Sequence, residues 1–600
     1  MTMPGGRRSF DLFALVLILL AVLFAQQKLS NGITSDGALY FAHLRSIVFD
    51  HDLEIAPELD ALHQPQRPHH VIPIGPAIVW APAYLAVAAV DRIGSATGAW
   101  TRAQGTDLGL TGAYVQAAAL SSFFMMALGL IVLHARVRRE FGPSIAIATS
   151  VLILGATTLA WYVILEPSMT HAVSFGCVAI ALVLTERWLV DTKPTWRQGV
   201  LLGAWFSLVI LVRPEDGVFL LFPLTAMLFA PVWRAAALRE RVRAAGAMLV
   251  GAAPLLVLQG AALAWLLSTN TFSLLGGDEA YLTFFDARFL DVLFSSRHGL
   301  MSWTPIVWVA LAGTIAYAWR QPLWALPAIV AFMILVWTNG SAHDWSGGWA
   351  YGGRRFTSVL AAFTPGVAMA LYGIYRRPLL LIAPAAVVIV GWNALLMTQY
   401  QRQLLPRDET VRFDTLVRQQ ADLLVKPPFL YPFAFPANVW FAWREGLPVD
   451  RYDLLGSEPL RREMYLPLND WSERFMLDGW ANGAGDASGS AHFLVGPSGT
   501  ILVPLDVPPG TAFGIDLEAR AAGGPPGGTS ALDIAVNGRS LGSLPLAIGA
   551  EKPSRHDFVV PAGVKVWRRG YNRVTISRPS HAAAATTFIV YALRAGANTP

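Results

Sequence analysis

Cysteine and charged residues are both scarce in this chain of 600 residues. Cys177 is its one cysteine, so no internal disulfide can form and a disulfide-stapled secreted scaffold is excluded. Charged side chains make up 14% of the residues, whereas about a quarter is usual in soluble domains. An intrinsically disordered chain is excluded as well, because such chains are poor in apolar residues and 54% of this chain is hydrophobic. The composition, with a mean hydropathy of +0.46, indicates a membrane protein.

The basic residues occur in short clusters between apolar runs and are not gathered on one face. The net charge is +5 and the isoelectric point is near 9.3, but this scattered arrangement argues against nucleic acid as a partner. Cytoplasmic loops of membrane proteins collect Lys and Arg. The clusters are therefore interpreted as signals of topology.

Apolar runs long enough to cross a bilayer recur through the first 400 residues. Since a span needs roughly 20 apolar residues, we predict a polytopic α-helical membrane protein with about 11 transmembrane helices. The candidate spans are residues 10–25, 111–133, 144–165, 171–189, 199–212, 217–231, 244–267, 300–319, 323–337, 356–372 and 378–397.

A further apolar run, residues 71–90, is interrupted by Pro73, Pro76 and Pro82. If this run does not cross, most basic clusters fall on the side of Arg7 and Arg8, as the positive-inside rule requires. We therefore predict an interfacial or re-entrant segment on the outer face. The N-terminus is then cytoplasmic, and the chain after about residue 400 lies outside a bacterial inner (plasma) membrane.

The composition changes after residue 400. Residues 400–470 are polar and rich in proline and aromatics, with one helix predicted near 408–425. From 471 onward, short alternating runs are separated by Pro-Pro-Gly, Gly-Gly-Pro-Pro-Gly-Gly and Asn-Gly turns, a pattern that predicts an antiparallel β-sandwich of jelly-roll type. The expected domains are 1–399 (membrane), 400–470 (external connecting region) and 471–600 (periplasmic sandwich).

Several motifs resemble those of the GT-C-fold glycosyltransferases, a superfamily that includes protein mannosyltransferases, aminoarabinose transferases and mycobacterial arabinosyltransferases. A long external loop follows the first span and has an acidic residue near its start, in TSDGALYFA (34–42). SRHGLMSWTP (296–305) and DWSGGWAYGGRRF (344–356) look like a bacterial branch of the superfamily, as do residues 70–85 and 135–142. The likeness covers residues 10–397.

The resemblance implies an enzyme that moves a hexosyl or pentosyl group from a polyprenyl-phosphate donor to a glycan or lipid-linked acceptor on the external face. Asp36 is placed to act as general base, because a carboxylate at the water boundary can stay ionised and accept the proton of an acceptor hydroxyl. Arg354 and Arg355, with Arg213 and Arg297, are candidates to hold the departing phosphate, since fixed guanidinium groups stabilise its charge. Direct attack predicts inversion.

Three further residues are candidates near the base. Asp52, later in the same loop, is the second choice for it, although a solvated helix face explains this carboxylate equally well. Glu166 and His171 flank the outer start of a span, where charged groups are costly and often functional. They could bind the acceptor, assist the base or hold a divalent cation, and His171 could equally be a packing residue. No dense ligand cluster is present, so we expect no required metal and no cofactor.

His298, Asp344 and Trp349 complete the set of candidate substrate-binding residues. Loop capping is the alternative role for His298. The glycine-rich run 347–353 allows a ligand to approach the backbone closely, and its aromatics offer faces for a sugar or an isoprenoid. An interfacial aromatic belt would also account for the aromatics.

Two other functions stay open for the whole chain. One is a transporter or flippase of lipid-linked sugars. The other is a non-catalytic membrane protein that binds glycan through its sandwich. The sandwich resembles a carbohydrate-binding module around Asn537-Gly538 and residues 569–574. The enzyme is favoured over the transporter because the polar groups cluster at span ends on one face and no inverted repeat is apparent.

Overall fold

The apolar runs form helices, and the C-terminal alternating runs form sheets. The computed structural model describes residues 10–62, 64, 73–99, 105, 108–190, 192–234, 236–269, 282–374, 379–425, 435–447, 451, 455, 458–468, 470–482, 492–494, 497–522, 528–550, 552–578 and 586–597. The chain divides into two units, residues 1–419 and 420–600. The predicted connecting region 400–470 is thus shared between them.

The described part of unit 1 is mainly helical. Its helices are α1 Phe10–Leu29, α2 Asp36–Arg45, α3 Ala56–Ala61, α4 Gly75–Ala96, α5 Gly112–Phe141, α6 Pro143–Gly155, α7 Thr158–Ile164, α8 His171–Thr185, α9 Trp196–Val212, α10 Leu221–Phe229, α11 Pro231–Arg234, α12 Leu238–Thr269, α13 Phe289–Phe294, α14 Leu300–Trp303, α15 Ile306–Ala318, α16 Pro322–Gly340, α17 Val359–Ile374 and α18 Leu379–Gln401. A helix α19, Phe413–Val425, crosses the boundary between the units.

Six helices of the described chain are long and apolar enough to cross a bilayer, and a seventh span is obtained if α6 and α7, bent by 69°, are taken together. Three shorter apolar helices, α9, α15 and α17, accompany them. The prediction of a polytopic helical membrane protein is confirmed. The number of about 11 spans stays a prediction, because several predicted runs are broken, as at Thr304-Pro305 between α14 and α15.

Residues 75–90 of the proline-containing run lie within one continuous helix, α4. Helix α4 is continuous over 22 residues with Pro82 inside it, and Pro76 falls in its first turn, where no helical hydrogen bond is lost. By length and hydropathy α4 could cross. Gly75 abuts the end of α9 at Leu211, and the Tyr114 hydroxyl at the start of α5 donates to Asp91 at 3.0 Å. The interfacial or re-entrant placement of this segment on the outer face stays a prediction.

Glycine permits the closest helix contact of the unit, between α9 and α12. A Cβ on Gly203 would lie 1.8 Å from the carbonyl oxygen of Met248, whereas a Cβ on Gly246 of α12 would meet no atom within 4 Å. Membrane helices use such small residues to bring their backbones together.

We expect Gly203→Ala to destabilise unit 1, because the added methyl group would force α9 and α12 apart. The expected loss is about 1–3 kcal/mol, the usual effect of overpacking. Gly246→Ala is the matched control and should leave stability unchanged or slightly raised, since alanine favours helix. Thermal unfolding midpoints in detergent would measure both variants. Equal midpoints for the two variants would contradict the role of Gly203.

A buried ionic network joins four elements at the end of α5. Arg136 donates through Nε and Nη2 to the two carboxylate oxygens of Glu186, at 2.9 and 2.7 Å. Its Nη2 also donates to the Tyr317 hydroxyl of α15 at 2.9 Å, and its guanidinium lies 4.2 Å from the ring centroid of Trp324 in α16. Tyr317 donates in turn to Glu140 at 2.5 Å. The network fixes the relative positions of helices distant in sequence.

Unit 2 is a β-sandwich, as predicted. Its strands are β1 Glu463–Pro467, β2 Trp480–Asn482, β3 His492–Leu494, β4 Ser498–Leu505, β5 Phe513–Ala522, β6 Thr529–Val536, β7 Arg539–Ala547, β8 Ser554–Val560, β9 Gly570–Ser577 and β10 Thr587–Ala597. One sheet has the order β2-β3-β10-β5-β8, with β1 also on β10, and the other has the order β4-β9-β6-β7. Helix α20, Phe435–Glu445, packs Phe441 against Tyr571.

The alternation of apolar and polar residues, together with the turn residues between the runs, predicted most of these strands. Asn537 and Gly538 have φ of 49° and 82°, and they form the predicted turn between β6 and β7. The Gly-Gly-Pro-Pro-Gly-Gly turn lies almost entirely outside the described residues. The sandwich begins before the expected boundary at 471, because β1 pairs antiparallel with β10. That partner is too distant in sequence for a local pattern to reveal the pairing.

Candidate active site

Asp36 and Arg354 come together although 317 residues separate them in the sequence. Asp36 is the first residue of α2, and its Oδ2 lies 3.7 Å from Nη2 of Arg354. Arg354 begins a short 3-10 turn, Arg354–Phe356, before α17. The Asp36 side chain is 32% exposed and that of Arg354 is 16% exposed. The pair is therefore accessible to a ligand from solvent but largely shielded by protein.

The loop before α8 fixes the start of α2. The amide of Thr34 donates to the Ser168 hydroxyl at 3.2 Å. Gly37, next to Asp36, packs so closely that a Cβ would lie 2.5 Å from Ser168 Oγ. Ser35 has a φ of 49°, a conformation uncommon for serine. These contacts hold the Asp36 carboxylate in one position.

The glycine-rich run closes into a compact loop that presents Arg354. Gly347, Gly348 and Gly352 all have φ between 60° and 75°, which residues with a Cβ rarely adopt. Arg355 closes the loop by donating from Nη2 to Oδ2 of Asp344 at 2.7 Å. The predicted substrate-binding residues Asp344 and Arg355 thus form an ion pair with each other in the structure.

Aromatic residues anchor this loop to the helices beneath it. Tyr351 stacks on Trp161 of α7 with ring centroids 4.6 Å apart, and its amide donates to the Tyr162 hydroxyl at 3.1 Å. The Tyr351 hydroxyl donates to Asn393 of α18 at 2.8 Å. A buried anchor of this kind lets an irregular, glycine-rich segment keep its shape.

Glu166 lies in the loop between α7 and α8, close enough to the pair to interact with it electrostatically. Burial raises the pKa of Glu166, and the negative charge of Asp36 raises it further. The positive guanidinium groups of Arg354 and Arg407 lower this pKa, but the net shift is upward. The structure therefore brings Glu166 into the same site as Asp36. A carboxylate with a raised pKa beside a second carboxylate is typical of sites that move protons.

His171 and Arg213 form a second polar group at the ends of α8 and α9. Arg213 contacts the His171 ring and forms an ion pair with Glu215. His171 also packs on Tyr162, with ring centroids 4.3 Å apart. Asp216, fully buried, accepts a hydrogen bond of 2.5 Å from the Ser174 hydroxyl.

The buried Asp216 gives unit 1 a pH-dependent stability. Burial raises its pKa from 3.8 to about 6, a shift that Arg213 opposes and Glu215 increases. A carboxyl group with a raised folded pKa stabilises the fold fully below its unfolded value and loses this contribution as pH rises through 6. The loss is about 3 kcal/mol at most. We expect the unfolding midpoint to fall between about pH 4 and pH 7, and to fall less in Asp216→Asn; equal falls would refute this assignment.

Arg297 and His298 make their contacts with the segment after α18. Arg297 donates from Nε and Nη2 to Asp408 at 3.0 and 2.5 Å. His298, which is buried and has a φ of 63°, donates from Nε2 to the carbonyl oxygen of Arg407 at 2.8 Å. The Arg407 guanidinium lies 5.8 Å from the ring centroid of Trp349, whose side chain is 72% exposed.

Asp52, the second candidate for the base, has local contacts. Its carboxylate accepts hydrogen bonds from the Ser46 hydroxyl at 2.6 Å and the Glu54 amide at 3.1 Å. These bonds hold the turn that follows the short π-helix Ser46–Asp50. Neither hydrogen bond involves Asp36 or Arg354. Within the described part of the chain, no three His, Cys, Asp or Glu side chains are grouped to hold a metal ion.

Sequence reasoning missed several residues that surround the pair. Tyr40 lies one helical turn after Asp36, and burial and the charge of Asp36 both raise its pKa. Its i+4 spacing from Asp36 was the available signal. Tyr162 and Arg407 carried no such signal, because their neighbours in the site come from remote segments.

Comparison with known proteins finds a family model that matches part of unit 1. Residues 97–265 match the family described as dolichyl-phosphate-mannose-protein mannosyltransferase. Comparison with curated proteins finds no match.

Solved structures similar to this chain include ArnT from Cupriavidus metallidurans bound to undecaprenyl phosphate, at 14% identity over 74% of each chain and a TM-score of 0.41. The archaeal oligosaccharyltransferase AglB from Archaeoglobus fulgidus, in complex with an inhibitory peptide and a dolichol-phosphate, is similar at 12% identity. That match covers 75% of this chain and 60% of AglB, with a TM-score of 0.34. The CBM36-1 domain of a multidomain xylanase from the hindgut metagenome of Trinervitermes trinervoides matches at 10% identity, over 23% of this chain and 99% of that domain, with a TM-score of 0.18.

Proposed function

We propose that this protein is an integral membrane glycosyltransferase that transfers a sugar from a polyprenyl-phosphate donor to a glycan or lipid-linked acceptor. The observation that carries the proposal is the pairing of Asp36, at the start of α2, with Arg354, in the turn before α17, within electrostatic reach of Glu166. The family match adds support, because its description names a dolichyl-phosphate sugar as donor. Hexosyl and pentosyl groups are both candidates for the transferred sugar.

The proposed reaction is a single displacement. Asp36 accepts the proton of the acceptor hydroxyl as its oxygen forms a bond to the anomeric carbon. The bond between that carbon and the phosphate oxygen breaks, and polyprenyl phosphate leaves with the electron pair, so the anomeric configuration inverts. Arg354, 3.7 Å from Asp36, orients the carboxylate and stabilises the negative charge that develops on the phosphate.

The reaction is proposed to take place on the external face of a bacterial inner membrane. The basic clusters between spans predict this orientation, with the N-terminus cytoplasmic. No cofactor enters the proposed step, and a divalent cation is not required in it. Glu166, His171 and Arg213 are proposed to bind the acceptor, and Trp349 to present an aromatic face to a sugar.

Reconstituted protein supplied with labelled polyprenyl-phosphate sugars tests the proposal. We expect label from one hexose or pentose donor to appear in an acceptor, with release of an equal amount of polyprenyl phosphate. Movement of intact donor across the liposome bilayer without release would identify a flippase instead. Binding of polysaccharide with every donor left intact would identify a glycan-binding protein.

A further inference from the structure

Four of the five guanidinium groups around the site are already paired with carboxylates. The pairs are Arg354–Asp36, Arg355–Asp344, Arg213–Glu215 and Arg297–Asp408. Arg407 differs, because no carboxylate among the described residues forms an ion pair with it. Its Nε is buried and has no hydrogen-bond partner in that part of the chain.

The backbone that carries Arg407 is held at two consecutive residues. His298 binds the carbonyl oxygen of Arg407, and Arg297 binds the carboxylate of Asp408. His298 is itself fixed by stacking on Trp303, with ring centroids 4.8 Å apart and planes 23° from parallel. Arg297 and His298 of the motif Ser296-Arg297-His298 therefore fix the position of the backbone at Arg407.

The Arg407 side chain extends toward the site from this fixed point. Its guanidinium lies over the rings of Trp349 and Tyr400, at 5.8 and 5.7 Å from their centroids. It acts electrostatically on Glu166, as Arg354 does. The exposed ring of Trp349 shows that this part of the site is open to solvent.

We infer that Arg407 receives the phosphate group of the substrate, and that Arg297 and His298 are positioning residues that act through Asp408 and the Arg407 backbone. This inference rests on the proposed function and assigns the phosphate to the polyprenyl-phosphate donor. A half-buried guanidinium without a counterion is unfavourable, and a phosphate would supply both the missing charge and the missing acceptors.

Binding of undecaprenyl phosphate, measured by calorimetry on the purified full-length protein, tests the inference. We expect Arg407→Gln to weaken binding about 10- to 100-fold, as for the loss of a charge-assisted hydrogen bond. Arg407→Lys should recover part of the affinity, and Asp408→Asn should show a smaller loss.

In transfer assays Arg407→Gln should raise KM for the donor more than it lowers kcat. Arg412→Gln is the matched control, since that side chain is 82% exposed and pairs with Asp414.

The outcomes separate this inference from the proposed function. Wild-type affinity in Arg407→Gln, in a protein that transfers sugar, would overturn the role of Arg407 and leave the function standing. A rise in KM for a phosphorylated acceptor alone would move the phosphate contact from donor to acceptor and would also overturn the assignment. Absence of both binding and transfer in the wild-type protein would overturn the function and the inference together.

Discussion

Asp36→Asn is expected to lower the transfer rate about 10²–10⁴-fold, the usual contribution of a positioned general base. Asparagine has the shape of aspartate but cannot take up the proton of an acceptor hydroxyl. The fold should be preserved, because the carboxylate is 32% exposed and its contact with Arg354 is 3.7 Å long. A partly exposed pair at this distance contributes only about 0–1 kcal/mol. Transfer from the labelled donor, with an unfolding midpoint in parallel, measures both effects.

Asp52→Asn is the matched control for this experiment. Asp52 belongs to the same segment between α1 and α4, but its carboxylate accepts hydrogen bonds from Ser46 and Glu54 within its own turn. We expect this variant to keep transfer near the wild-type rate, with a small loss of stability. Full activity in Asp36→Asn together with a large loss in Asp52→Asn would make Asp52 the base.

Arg136→Met is expected to destabilise unit 1 by about 3–5 kcal/mol, the effect of breaking a buried ionic network by removing one partner. Methionine keeps much of the side-chain volume but leaves the Glu186 carboxylate without its two short hydrogen bonds. The hydrogen bond from Arg136 to Tyr317 would be lost as well. A large fall in the unfolding midpoint and in the yield of folded protein would measure the effect.

Arg139→Gln provides the comparison for Arg136. Arg139 lies on the same helix and reaches Glu186 at 3.5 Å, but its side chain is 62% exposed. Surface ion pairs contribute about 0–1 kcal/mol, so this variant should unfold near the wild-type midpoint. Equal loss in the two variants would mean that net charge, and not the buried network, governs stability here.

The sequence predicted Asp36 and Arg354 well because each has a local signal. Asp36 follows the first span directly, and Arg354 is the first of two consecutive arginines after a glycine-rich run, a pattern that favours contact with a ligand. The structure brings both to one place. Their catalytic roles stay predictions until the variants are tested.

Arg297 and His298 show the limit of local reasoning. Phosphate contact was expected of both, with loop capping as the alternative, and the segment that they bind, residues 407 and 408, lies more than 100 residues further along the chain. No periodicity or spacing links such remote positions. Arg407 could not be identified for the same reason, since its significance depends on which other guanidinium groups already have counterions.

The fold was more predictable than the site, because hydropathy and alternation are local. The failures concern segments whose form depends on partners, such as β1 on β10. Helix α4 is a further case. Its prolines suggested a break, yet one occupies the first turn and the other is accommodated within the helix.

The position of Cys177 has a practical consequence for determining the orientation of the chain. This thiol is fully buried within α8, so maleimide reagents added to intact cells should leave the native protein unlabelled. A second thiol introduced at an exposed position, such as Val559→Cys in the sandwich or Arg412→Cys before α19, would then report its own side of the membrane without removal of Cys177. Labelling of both by an impermeant reagent would place the two regions outside the cell membrane.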